Sequence, residues 1–131
     1  MKHHLPRLLL IGLAACLIGC HRAENPDHQR SRKAAVKAYN QLIKGNYEGF
    51  VQRIYYADSL TDTYRAQLID RLAEYAQAER DRRGGMVRVE AVGDTLFGDQ
   101  AHVFLEVTFG DDSHHEIGVP MVKVDGQWRL Q

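Results

Sequence analysis

Hydrophobic and polar positions divide the 131-residue chain into three patterns. The first is one unbroken apolar run, the second repeats at helical spacing, and the third alternates. Residues 8–19, LLLIGLAACLIG, carry no charge and follow MKHHLPR, whose Lys2 and Arg7 are basic. Twelve residues of helix rise roughly 18 Å, well short of the roughly 30 Å hydrocarbon layer of a bilayer. The run therefore reads as a signal peptide and not as a permanent membrane span. After Cys20 the polar stretch HRAENPDHQRSR (21–32) shows no apolar period and reads as a tether, which leaves residues 33–131 as one domain.

Within that domain Ala35, Tyr39, Leu42 and Ile43 recur at helical spacing, and Gly45 suits the left-handed position that ends a helix. Asn46 caps a second expected helix, YEGFVQRIYYAD, with Tyr47, Phe50, Val51 and Ile54 on one face. A third begins near Thr61, carries Tyr64, Leu68, Leu72 and Tyr75 on one side, and ends in ERDRRGG. There Arg80, Arg82 and Arg83 meet the negative end of the helix dipole, and Gly84 and Gly85 stop the run.

From Met86 onward the period is two. Helices first and strands afterwards predict an α+β domain, three helices packed on a curved four-stranded antiparallel sheet. A loop of Asp111, Asp112 and Ser113 would pair Val103 with Met121, Leu105 with Val119 and Val107 with Ile117. A type I′ turn centred on Asp125 and Gly126 pairs Lys123 with Trp128 and Met121 with Leu130. Both turns place Val103, Leu105, Val107, Phe109, Ile117, Val119, Met121, Trp128 and Leu130 on one face, the expected core. The other face holds His102, Phe104, Glu106, Pro120, Val122 and Val124. Of these, Phe104, Pro120, Val122 and Val124 form a candidate interaction surface.

Charge narrows the partners. Lys and Arg number 17, as do Asp and Glu, and removing a leader with Lys2 and Arg7 leaves 15 against 17, or −2. No global field recruits nucleic acid. The two cysteines, Cys16 and Cys20, both lie in the first twenty residues, so the domain has no thiol for a disulfide or a Cys-based metal site. In the register above, His102 faces Val122 and His115 faces Phe109, about seven residues or roughly 23 Å apart, too far to share an ion. His114 and Glu116 share a face, but the aspartates beside them, Asp111 and Asp112, are turn formers. No metal and no cofactor is expected. Tyr39, Tyr55 and Tyr64, with Trp128, are the candidate residues for a pocket that takes a partly apolar ligand. Asp58, Asp62 and Asp70 are candidates for a general base with Tyr or His as partner, although capping and dipole complementarity at a helix start explain Asp58 and Asp62 without catalysis.

Two resemblances add to this reading. LIGC (17–20) resembles the lipobox of bacterial lipoproteins. It implies that Cys20 becomes the first mature residue and carries diacylglycerol, anchoring the protein in the cell envelope. With His21 and no Asp after it, the resemblance implies the outer membrane where a cell has two. KGNYEGF after the first helix and MVKVDGQWRL at the end resemble the nuclear-transport-factor-2-like (NTF2-like) superfamily, in particular its small lipoproteins, over residues 33–131. That resemblance implies a cone with a cavity between helices and sheet, hosting isomerases and dehydratases as well as binding modules and homodimers. The expectation is a lipid-anchored, non-enzymatic module that binds a small ligand or an envelope protein. The alternative is a small pocket enzyme.

Overall fold

The computed structural model describes residues 24–131. The expected leader (1–19) and the lipidation residue Cys20 lie outside the described residues. Element order is α1 (Pro26–Ile43), α2 (Tyr47–Val51), a single 3-10 turn (Ala57–Ser59), α3 (Asp62–Arg83), β1 (Met86–Phe97), β2 (Gln100–Phe109), β3 (His114–Val124) and β4 (Gln127–Leu130). The strands form one antiparallel sheet in the order β1-β2-β3-β4. This is the α+β arrangement that the change of period predicts.

The tether reading fails for residues 26–32, which form the first two turns of α1. Asn25 accepts from the Asp27 amide, and Pro26 occupies the first helical position, where its missing N–H costs nothing. Polar residues hide this start: Pro26, Gln29 and Arg30 face solvent, Asp27, His28 and Arg32 are half-buried, and Ser31 is fully buried and donates its hydroxyl to the His28 carbonyl. The second helix is also shorter than expected. It stops at Val51, and the next residues run beside β4. Ile54 forms a parallel bridge with Leu130, whose amide donates to the Arg53 carbonyl while its carbonyl accepts from the Tyr55 amide. Sheet pairing thus overrides a helical apolar pattern.

α3 starts and stops where the sequence indicates. Thr61 accepts from the Tyr64 amide, and Gly84 takes the left-handed conformation that ends the helix. Its C-terminus is fixed to the β2–β3 hairpin: Gly110 N–H donates to the Gly85 carbonyl and Asp111 N–H to the Arg83 carbonyl.

The β3–β4 register is as read, with Asp125 and Gly126 both at positive φ in a two-residue turn. The β2–β3 register differs by two residues. Val103 pairs with Val119, Leu105 with Ile117 and Val107 with His115, and His102 faces Pro120. The closing pair is Phe109 and Ser113, so the three-residue loop is Gly110, Asp111 and Asp112. Its last position requires a left-handed residue, which Asp112 supplies at φ 65° and Ser113 would supply less readily. Because the shift is even, every side chain keeps its face. Irregularities in β1 between Met86 and Arg88 and between Ala91 and Gly93 bend the sheet around α1.

Candidate functional site

The site begins with what fills the cone. Val103, Leu105, Val107, Val119, Met121, Trp128 and Leu130 project from the inner sheet face onto Ala35 and Ala38 of α1, all of them buried. Two alanines at this contact let the helix backbone approach the sheet, so the interior is occupied by the protein's own side chains.

Polar clamps hold α1 over this core. Trp128 Nε1 donates to Asp27 Oδ1 at 3.1 Å, and Lys123 Nζ reaches Asp27 Oδ2 at 3.1 Å. The indole and ammonium bonds hold the Asp27 carboxyl below its ordinary range. On the opposite flank, Arg32 Nε and His28 Nδ1 both bond the Asp94 carboxylate of β1, whose side chain is 0% exposed. An acid buried between a guanidinium and an imidazole acts here as a structural anchor.

Of the four expected pocket residues, the structure brings no pair together around one groove among those described. Tyr39 is partly buried, with its ring edge-on to Phe50 at 5.6 Å, and burial raises its pKa. Tyr64, at the start of α3, is 46% exposed. Tyr55 is 51% exposed, stands edge-on to Tyr56, and borders a groove of about 290 Å³ with Asp58, Asp125 and Arg129. Trp128 borders another of the same volume, about 290 Å³, on the far side of the β3–β4 hairpin.

This second groove contains residues that periodicity alone does not reveal. α1 contributes Arg30, Lys33, Ala34 and Lys37, the turn after α2 contributes Arg53, and the hairpin contributes Gly126, Gln127 and Trp128. The two backbone bonds to β4 that end α2 also hold Arg53 in place. Spacing of i, i+3 and i+7 for Arg30, Lys33 and Lys37 was the available signal, and it is hidden once Arg30 is assigned to a tether.

An acid also sits beside tyrosines. Glu79 of α3 is buried, and its Oε1 lies 3.7 Å from Arg82 while Oε2 lies 3.9 Å from Arg83. Burial and the Glu79 charge push the Tyr75 pKa up. The adjoining groove, lined by Leu42, Ile43 and Met86, holds only about 130 Å³.

The outer sheet face carries Phe104, Pro120, Val122 and Val124 together, as expected. Phe104 lies between Gly93 and Gly118, its ring 3.8–3.9 Å from where a Cβ would stand on either. Much of its surface is thereby used within the sheet. No group of three or more His, Cys, Asp or Glu among the described residues could hold a metal ion. His114 instead pairs with Glu106 at 3.4 Å and meets Thr108 at 3.0 Å. No described helix is long and apolar enough to cross a membrane.

No protein-family model matches the chain, and no curated protein sequence matches it. The crystal structure of a Campylobacter jejuni protein, provisionally described as an NTF2-like transpeptidase, superimposes with a TM-score of 0.62. It is 21% identical and covers 82% of this chain and 97% of its own. The fold is NTF2-like. A solution structure from Rhodopseudomonas palustris, of a protein containing a SEC-C motif, aligns less well, with a TM-score of 0.46 at 13% identity over 71% of this chain and 68% of its own. In this NTF2-like cone, buried side chains of the inner sheet face meet Ala35 and Ala38 in the region where the resemblance implies a cavity.

Proposed function

We propose that this chain is a lipid-anchored bacterial envelope protein whose NTF2-like domain is a non-enzymatic binding module. The leader of residues 1–19 is removed and Cys20 carries the lipid, in the outer membrane where the cell has two. Each buried methylene contributes about 0.8 kcal/mol, so two or three long chains hold such a protein almost permanently. The binding reading rests on one observation: Val103, Leu105, Met121 and Trp128 are buried against α1, while grooves open on the surface beside the β3–β4 hairpin. The outer face around Pro120, Val122 and Val124 is the corresponding surface for an envelope protein or a second copy.

A pocket enzyme is the second reading, favoured by Glu79 beside Tyr75. Both features argue against a working acid–base pair. The carboxylate faces two arginines, and the groove of about 130 Å³ is too small for an organic substrate. The transpeptidase description of the Campylobacter jejuni protein is not carried over.

Intact mass and membrane fractionation in a bacterial host, beside Cys20→Ala, test the reading. The expected mature chain begins at Cys20 with acyl chains, and the variant loses both lipid and membrane retention. An unlipidated wild type, or a variant processed and retained identically, overturns it.

A further inference from the structure

The groove beside Trp128 has a composition that calls for an anion. Arg30, Lys33, Lys37 and Arg53 line it and no acid does. Among the described residues none of these four cations forms an ion pair, whereas Arg32, one position from Lys33, is bound to Asp94. The acid on the same helix flank, Asp27, is already held by Trp128 and Lys123, and Arg30 adds only its field. Like charges at i, i+3 and i, i+4 destabilise a helix, and here Arg30, Lys33 and Lys37 repeat them in succession. General basicity does not explain the cluster, since the chain beyond Cys20 carries a net −2 (15 basic against 17 acidic residues).

We propose that this groove binds an organic phosphomonoester, a conclusion that rests on the reading of the domain as a surface binding module. A phosphomonoester carries about −1.5 to −2 charges near neutral pH and presents three acceptor oxygens. Four cations on converging elements match that demand, whereas a lone carboxylate leaves most of them uncompensated. Arg30 and Arg53 supply planar forks suited to phosphoryl oxygens, and Lys33 and Lys37 supply point charges. The organic portion lies along Ala34 and the indole of Trp128, which the hydrogen bond to Asp27 holds in place. A volume of about 290 Å³ suits a small phosphate ester or a lipid headgroup. Both sources present the same chemistry. From Cys20 to Pro26 an extended chain reaches at most about 20 Å, so a lipidated Cys20 keeps the start of α1 near the bilayer surface.

Trp128 is the chain's only tryptophan and therefore reports on its own groove. The full chain in neutral detergent is titrated with glycerol 3-phosphate, with micelles carrying phosphatidic acid, and with glycerol, acetate and phosphatidylcholine micelles as controls. The expected result is a saturable change in Trp128 emission with a phosphomonoester, at least tenfold weaker in apparent Kd for Lys33→Gln/Lys37→Gln and unchanged for Arg88→Gln. The response weakens as salt rises, because exposed charges are screened. A response to glycerol 3-phosphate identifies a soluble ester, and a response to phosphatidic acid micelles alone identifies a headgroup. No response to either, an equal response from the double variant, or an equal response to acetate overturns the proposal. If the phosphates fail while Cys20 is lipidated, only the ligand class falls. If Cys20 is unmodified, the soluble titration still decides the groove.

Discussion

Trp128 and Asp27 join the two ends of the domain: the indole of β4 donates to the carboxylate in the first turn of α1 at 3.1 Å, across 101 residues of chain. The bond fixes one wall of the basic groove and sets the helix over the sheet. Its strength depends on the carboxylate being ionised. The folded-state pKa of Asp27 lies below the ordinary 3.8, so the stability it contributes is fully present above that value and is lost as pH falls through the lower, folded one. Asp27→Asn should lower the melting temperature at neutral pH, with the gap to wild type closing below about pH 3.8. A pH series of thermal melts checks it, and a gap independent of pH contradicts it.

Asp94 provides the second attachment of α1. Its removal leaves Arg32 and His28 without their acceptor, although both are partly exposed and water will compensate in part. Asp94→Ala is therefore expected to cost roughly 1–3 kcal/mol, the range for losing charged hydrogen bonds. Urea denaturation gives the value, and an unchanged midpoint would show that α1 does not depend on this clamp.

Where α3 meets the β2–β3 hairpin, the backbones of Gly84 and Gly110 lie against each other. A Cβ on Gly110 would stand 2.5 Å from the Gly84 carbonyl oxygen, so the backbones must separate. Gly110→Ala should destabilise the fold by about 1–3 kcal/mol. Gly118→Ala meets only Phe104 at 3.9 Å and should stay within about 0.5 kcal/mol of wild type. Equal melting temperatures for the two variants would contradict the packing described.

These contacts also show what was legible in the sequence. Period-two alternation identifies the inner face, including Val103, Leu105 and Trp128, because face depends only on parity. The β2–β3 register depends on which loop residue tolerates a left-handed backbone, and placing Ser113 where Asp112 belongs shifts it by two without exposing the core. α1 begins nine residues before Ala35, the first of its apolar period, because Asp27, His28 and Arg32 tie its start to the sheet by polar pairing, which hydrophobicity does not register. The same omission concealed the basic groove. Tyr55 and Tyr64 look like pocket residues as aromatics on predicted helices, yet the ending of α2 at Val51 and the exposure of α3 leave them on the surface.

Binding on the outer surface of the domain requires that the interior of the cone be solid. Xenon occupies dry apolar cavities of roughly 150 Å³ in proteins, so crystals of this chain under xenon pressure test the claim directly. No xenon is expected between α1 and the sheet. A xenon atom ringed by Val103, Leu105, Met121 and Trp128 would reveal an internal cavity and return the pocket-enzyme reading to first place.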